Sequence, residues 1–198
     1  MTSSDTIPDV RSQRPKRADA RRNYDKLIAA ALAAFTEEGG SASLEEIARR
    51  AGVGIGTLYR NFPTRQDLLE AVYVEEVEAV CQTAENLMGD PPWEALVAWL
   101  HRFLGYIGTK QALADELFSY LGRDADVFRG CRTAFYAAGE KLLVRGQESG
   151  VVRSDVSIED VVMLVAGIAK VQPASPGQIP RILDIALEGL RAPGVSGA

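Results

Sequence analysis

The sequence of 198 residues predicts an all-α fold in two parts, an N-terminal helix-turn-helix domain and a C-terminal helical domain. Apolar residues recur at three- and four-residue spacing over most of the chain, which is typical of amphipathic helices. Clusters of glycine and proline divide these segments, and no stretch alternates apolar and polar residues as a half-buried strand would. Hydrophobic residues make up 46% and charged residues 25%, which are ordinary globular values.

The N-terminal segment predicts an arm followed by a helix. Residues 1–20 lack periodicity and are interpreted as a flexible basic arm. From Arg21 the pattern turns helical, and Gly39-Gly40 would end this first helix because glycine adopts left-handed angles at low cost. The basic residues in and next to the arm are Arg11, Arg14, Lys16, Arg17, Arg21 and Arg22.

A second, short helix is predicted from Ser43 to about Ala51. Ser43 and Glu46 match a capping box, in which the serine hydroxyl accepts from the Glu46 backbone N–H and the glutamate side chain reaches back. Gly52 is placed for a tight turn.

A third short helix over about 54–61 would end before Pro63, because the residue before a proline avoids helical angles. The segment from Thr64 to Asp67 would cap a fourth helix that reaches Leu87. After the break at 89–92, further helices are predicted at about 93–108, 112–121, 124–149, 157–171 and 179–191.

Residues 43–65 carry the functional signal. They read SLEEIARRAGVGIGTLYRNFPTR, a short helix, a glycine turn and a second short helix. This is a helix-turn-helix plan, whose second helix enters the major groove of DNA by its N-terminal residues. Residues 1–65 also hold 11 Lys+Arg against 8 Asp+Glu, whereas the remainder is acidic, so a polyanion partner suits only the first part.

The predicted DNA contacts follow from this plan. Small residues would let the backbone approach DNA, and the hydroxyls of Thr57 and Tyr59 can donate to phosphates. Base reading would come from contact of Ile55 with thymine methyl groups, or from Arg60 or Arg49. The full set of predicted DNA-binding residues is Ser43, Arg49, Ile55, Gly56, Thr57, Tyr59, Arg60, Asn61 and Arg65.

Over about residues 21–80 the sequence resembles the TetR (tetracycline-repressor-like) family of bacterial transcription regulators. The resemblance rests on an Ala-Ala-Leu-x-x-Phe helix before a glycine pair, on IARRAGV at 47–53 and on GTLYRNFPTRQDLL at 56–69. It implies that Tyr59 and Arg65 hold phosphates and that Thr57 faces DNA. It also implies a DNA-binding domain over 21–80 and a ligand-binding, dimerising domain over 81–198.

A ligand site in the second half is predicted with less detail, because no motif identifies it. Helical bundles can enclose cavities lined by aromatic side chains. The candidates are Trp99, His101, Phe103, Tyr106, Phe118 and Phe135. Ordinary core packing is the competing interpretation for the aromatic residues, and a position at the boundary of an amphipathic helix is the competing one for His101.

The last two helices, at about 157–171 and 179–191, predict a homodimer interface because they are strongly apolar. Leu164 and Leu187 are the two residues expected to lie in it, and ordinary core remains the alternative.

Several other classes of function find no support in the sequence. Two cysteines without a CxxC motif and a single histidine give neither a disulfide framework nor a metal site, and no cofactor motif is present. No apolar run approaches the roughly 20 residues of a membrane span, and no secretory signal is seen. A cytoplasmic location is therefore expected.

The sequence thus predicts a cytoplasmic, homodimeric regulator that binds double-stranded operator DNA, a repressor released by a small-molecule effector. One alternative is a regulator controlled by a protein partner. Another is an enzyme with its site in the second domain, for which no convergent acid, base or nucleophile is found.

Overall fold

The computed structural model describes residues 14–15, 17–122, 125–173 and 175–193, which form helices and no strand. The all-α prediction is confirmed. The helices are α1 Ala18–Glu38, α2 Leu44–Ala51, α3 Ile55–Asn61, α4 Arg65–Asn86, α5 Pro92–Leu121, α6 Asp126–Glu148, α7 Ile158–Ala169 and α8 Gln178–Glu188. Short 3-10 turns follow α1 and α4, at Gly39–Ser41 and Leu87–Gly89.

The described residues divide into two compact units. The first contains the residues up to Val77 together with Thr109–Thr133, and the second contains Glu78–Gly108 together with the residues from Ala134 onward. These units differ from the predicted division near residue 80, because the segment 109–133 packs within the first unit. Helices α4, α5 and α6 therefore each contribute residues to both units.

Aromatic rings hold the first unit together at two places. The rings of Tyr24 on α1 and Phe62 after α3 are 5.2 Å apart between centroids, and both side chains are buried. The rings of Phe128 and Tyr73 lie edge to face with centroids 5.2 Å apart, and the Phe128 centroid lies 4.6 Å from that of Phe118. The first pair thus joins α1 to the residue after α3, and the second group joins α4 to the segment 109–133.

The second unit is built around Trp99. Its ring lies 5.1 Å from Phe135 and 6.1 Å from Phe103, and its indole N–H donates to the carbonyl oxygen of Val80 at 3.1 Å. The buried indole therefore has its polar atom satisfied by the backbone of α4.

Helix ends follow the predicted local signals in most places. Gly39 ends α1 with a φ of 56°, and Gly52 ends α2 in the left-handed conformation with a φ of 67°. A capping box at Ser157 and Asp160 starts α7.

Two helix predictions are wrong. The segments 93–108 and 112–121 belong to the single helix α5, because nothing stronger than one glycine separates them, and that costs a helix only about 1 kcal/mol. The last helix ends at Glu188 and not near residue 191. The backbone of Arg191 instead forms an isolated antiparallel bridge with Val152, so residue 191 is not helical.

We expect Gly139→Ala to destabilise the second unit. An added Cβ would lie 2.4 Å from the Trp99 ring and 2.8 Å from Ile158, which overpacks a closed core at a cost of about 1–3 kcal/mol. Gly105→Ala in α5 is the control, because a Cβ there meets nothing within 4 Å and should stabilise the helix. Urea unfolding measures both. Equal free energies of unfolding for the Gly139 variant and the native protein would contradict this packing.

Candidate nucleic-acid interface

Three short elements between α1 and α4 form the helix-turn-helix. Ser43 caps α2 by accepting the Glu46 backbone N–H at 3.1 Å, and Gly52 makes the turn into α3. At the start of α4, Thr64 and Asp67 exchange hydrogen bonds: the Thr64 N–H donates to the carboxylate at 2.8 Å, and the Asp67 N–H donates to the hydroxyl at 3.1 Å. Hydrogen bonds of the caps therefore fix where the helix-turn-helix begins, at Ser43, and where α4 begins after it.

The inner face of the helix-turn-helix is apolar. Ile47 of α2, Leu58 of α3 and Phe62 are fully buried, and the Phe62 ring packs on Tyr24 of α1. Leu44 and Val53 are half-buried.

The outer face of α3 presents the predicted contact residues. Ile55, Gly56, Tyr59 and Arg60 are exposed, with Ile55 at the first position of the helix. An apolar β-branched side chain and a phenol are thus offered to solvent from a helix whose opposite face is buried.

The polar groups of α3 bond to one another. A guanidinium N–H of Arg60 donates to the Thr57 hydroxyl at 3.0 Å, and the Asn61 amide donates to the Thr57 carbonyl oxygen at 2.7 Å. Thr57 and Asn61 are half-buried. The Thr57 hydroxyl accepts in the bond from Arg60 and keeps its own O–H to donate to a phosphate, and Arg60 keeps further N–H donors.

The arginines of α2 are bound by glutamates. Glu46 accepts two hydrogen bonds of 2.7 Å from Arg49 and one of 2.9 Å from Arg50. Arg50 also donates at 2.7 Å to Glu37 and to Glu38, so it joins α2 to the end of α1. These hydrogen bonds lower the pKa of Glu46 to about 2. The predicted return contact from the Glu46 side chain to the backbone of Ser43 is wrong, because the arginines occupy the carboxylate.

Arg65 is turned into the first unit. Its Nε donates to Glu116 of α5 at 2.7 Å, its Nη1 donates to the carbonyl oxygen of Ala42, and its guanidinium lies over the Phe35 ring at 4.9 Å from the centroid. The role of Arg65 as a phosphate ligand stays a prediction, and in this arrangement a carboxylate occupies the guanidinium.

Most of the predicted arm lies outside the described residues, namely 1–13 and Lys16. Arg14 is described, and it donates to Asp25 of α1 at 2.9 Å and lies 3.6 Å from a carboxylate oxygen of Glu75. The hydrogen bond to Asp25 is the main cause that raises the pKa of Arg14. Helix α1 begins at Ala18, earlier than the sequence predicts.

The structure brings only some of the predicted ligand residues together. Trp99, Phe103, Tyr106 and Phe135 cluster in the second unit, with their side chains buried against one another. Phe118 belongs to the first unit, where it packs on Phe128. Two described cavities, of about 380 and 480 Å³, are lined by other residues, on the loop before α8 and on α6 with Met88.

His101 is held by the last helix. Its Nε2 lies 2.7 Å from a carboxylate oxygen of Asp184 on α8, and its side chain is one-third exposed. This side chain therefore fastens α5 to α8 within the second unit.

The described residues form neither a metal-binding cluster nor a membrane-spanning helix. They contain no group of three or more His, Cys, Asp or Glu side chains arranged to hold a metal ion. None of the helices built from them is long and apolar enough to cross a membrane.

Sequence reasoning missed Glu116, Asp184 and the pair Glu37–Glu38 as partners of site residues. Glu116 lies 51 residues from Arg65, and no local pattern joins the two. Only the Glu46–Arg50 spacing of four residues is a signal that the sequence offers, because such pairs meet on one face of a helix.

Comparisons with known proteins agree with this architecture. A family model described as bacterial regulatory proteins of the tetR family matches residues 27–72, and one described as the SbtR-like transcriptional regulator C-terminal domain matches residues 91–192. A TetR transcriptional regulator of Streptomyces coelicolor is 42% identical, with a TM-score of 0.77 over 85% of this chain and 98% of that chain. A TetR regulatory protein of Mycobacterium vanbaalenii is 32% identical, with a TM-score of 0.74 over 90% and 100%.

Curated relatives match over a shorter region. The HTH-type transcriptional repressor KstR of Rhodococcus jostii is 32% identical over 81 residues, which is 40% of this chain and 38% of that protein. An HTH-type transcriptional regulator of Staphylococcus aureus is 31% identical over 83 residues, 40% of this chain and 43% of the other. The chain thus aligns with less than half the length of these two proteins.

The arginine network predicts different effects for two neighbouring substitutions. The side chain of Arg50 is 29% exposed and bridges three glutamates, so we expect Arg50→Met to lower the free energy of unfolding measurably. The side chain of Arg49 is 75% exposed and pairs only with Glu46 among the described contacts, so Arg49→Met should lower it less than Arg50→Met does.

The pH dependence of this difference has a defined sign. The folded pKa of Glu46 lies near 2 and its ordinary value is 4.5, so its ion pairs contribute fully above 4.5 and are lost as the pH falls toward 2. The thermal unfolding midpoints of the native protein and of both variants should therefore converge as the pH falls from 4.5 toward 2. A constant difference between native protein and Arg50→Met would contradict a role for Glu46.

Proposed function

The chain belongs to the TetR family of bacterial regulatory proteins, and on that premise we propose that it is a homodimeric, DNA-binding transcriptional repressor that a small-molecule effector releases from its operator. The single observation that carries the DNA-binding part is the exposed outer face of α3 on a unit whose inner face is closed. Repression is supported by the match to KstR, which is itself a transcriptional repressor.

The mechanism follows from dimer geometry. Two recognition helices in a dimer read half-sites one turn of DNA apart, roughly 34 Å, and binding is sensitive to that spacing. Helix α4 begins with Arg65 directly after the helix-turn-helix and ends at Asn86 in the second unit. An effector that favours one arrangement of the second unit would act through α4 on the spacing, which is a coupling free energy between two sites.

Within the proposed interface, we propose that Tyr59 binds a phosphate and that Ile55 contacts bases. Tyr59 is exposed and its phenol can donate to a phosphate oxygen. Ile55 carries no hydrogen-bonding side chain, so its contribution to specificity would come from apolar contact, which in the major groove means the 5-methyl group of thymine. Selection of bound duplexes from a random pool tests the function, and failure to enrich any sequence would refute it.

We expect one thymine of the selected half-site to depend on Ile55. Replacing that thymine with deoxyuridine removes one methyl group, worth about 0.8 kcal/mol or about 4-fold in affinity per half-site. The loss should disappear in Ile55→Ala and persist in Tyr59→Phe, which should weaken binding to all duplexes alike. Gel-shift titration with each thymine replaced in turn measures it. Losses that are the same in native protein and Ile55→Ala would exclude methyl recognition by this residue.

The proposed dimer interface lies on α7 and α8. Met163 and Ile185 are 70% and 69% exposed, the kind of apolar side chains that a partner subunit would cover. Leu164 is also exposed, whereas Leu187 is 1% exposed and belongs to the core of the second unit. The expectation that Leu187 lies in the interface is therefore wrong.

We expect Met163→Glu combined with Ile185→Glu to give a folded monomer with weak operator binding, because a carboxylate buried in the interface would be unpaired. Met88→Glu, at an exposed apolar residue outside α7 and α8, is the control and should remain dimeric. Sedimentation velocity measures assembly, and circular dichroism checks that the helices persist. A dimer at low concentration in the double variant would move the interface elsewhere.

A further inference from the structure

Arg65 occupies a position from which it could reach DNA, yet its side chain is turned into the first unit and contacts groups there. It is the first residue of α4, and three residues separate it from the end of α3. Glu116, the Ala42 carbonyl oxygen and the Phe35 ring hold the guanidinium. The side chains of Arg65 and Glu116 are only 20% and 12% exposed.

A guanidinium in this state is a poor ligand for a phosphate. The carboxylate at 2.7 Å offsets most of its positive charge at longer distances, and a neutralised pair displaces no counterion from DNA. A phosphate oxygen that reached Arg65 would therefore compete with Glu116 for the same N–H donors. Both are anionic acceptors of the kind that form the strongest hydrogen bonds with arginine.

We propose that Glu116 is a positioning residue that lowers DNA affinity by holding Arg65 away from the phosphate backbone, and that tight operator binding opens this pair. The inference rests on the proposed function and names a carboxylate that neither the sequence pattern nor the helix-turn-helix geometry includes in the interface. The segment 109–133 thus contributes to DNA binding through Arg65, although it lies outside the helix-turn-helix.

The surroundings of Glu116 support a pair that can open. Its Oε1 accepts from Arg65, but its buried Oε2 has no hydrogen-bond partner among the residues whose side chains are described. An unsatisfied buried acceptor costs part of what the ion pair gains. The closed pair is therefore less stable than a fully hydrogen-bonded one, and a phosphate has less to displace.

The position of Glu116 also suits regulation. It lies near the end of α5, the helix that contributes Trp99, Phe103 and Tyr106 to the second unit. A shift of α5 caused by an effector would change the distance between Glu116 and Arg65. The pair would then set how much of the Arg65 charge is available to DNA.

The test is a double-mutant cycle on a duplex recovered by selection with the native protein. We expect Glu116→Gln to bind this duplex several-fold more tightly, because the competing charge is removed. The gain should vanish in Glu116→Gln with Arg65→Ala. The slope of log affinity against log salt should be about 0.9 per protomer shallower in the double variant than in Glu116→Gln, since one phosphate contact is lost. A purely structural role of the pair would not produce this change of slope.

Asp126→Asn is the matched control, because it also removes a carboxylate that pairs with an arginine, Arg129, within the first unit. It should leave DNA affinity unchanged. Thermal unfolding checks that each variant is folded. If Glu116→Gln melts below the assay temperature, Glu116→Asp replaces it. This variant withdraws the carboxylate by one methylene and should also bind DNA more tightly than the native protein. Unchanged or weaker binding by the folded variant, a gain that survives Arg65→Ala, or an equal gain in Asp126→Asn would overturn the proposal. Failure to recover any duplex would instead refute the proposed function.

Discussion

The burial of Ile47, Leu58 and Phe62 inside the first unit is the constraint on which the DNA-facing surface depends. Helix α2 has eight residues and α3 has seven, and isolated helices shorter than about 12 residues are marginal in water. Neither helix would therefore persist without this apolar contact. Because α3 turns one face inward to make this contact, the residues on its opposite face, among them Ile55 and Tyr59, are left exposed to a ligand.

The sequence predicted those parts of the fold that local chemistry decides. Glycine turns at Gly39 and Gly52, the serine cap at Ser43, and the apolar face of α3 all act within a few residues, so a pattern reveals them. It failed where a local signal was weak and packing decided, as in the continuous helix α5 and the early end of α8. A single glycine cannot end a helix that packing favours, and no local feature announces the bridge of Arg191 with Val152.

The site was predicted as a set of residues but not as a set of interactions. The exposed positions of Ile55, Tyr59 and Arg60 follow from helix periodicity. The partners of Arg65 and His101 do not, because Glu116 and Asp184 lie 51 and 83 residues away and only the tertiary fold brings them near. Aromatic content likewise predicted a cluster, but whether such rings enclose a cavity or fill a core depends on their packing.

Ion pairing changes what the basic N-terminal third means for DNA binding. Its 11 Lys+Arg stand against 8 Asp+Glu, and Arg14, Arg49, Arg50 and Arg65 each lie against a carboxylate. A paired arginine contributes to phosphate binding only after its partner is displaced or screened. Arg60 differs, because its described hydrogen bond is to the neutral hydroxyl of Thr57 and its charge remains uncompensated there. Among these five arginines, Arg60 on α3 is therefore the one whose charge no described carboxylate offsets. The other four become available to DNA only when their glutamate and aspartate partners move away.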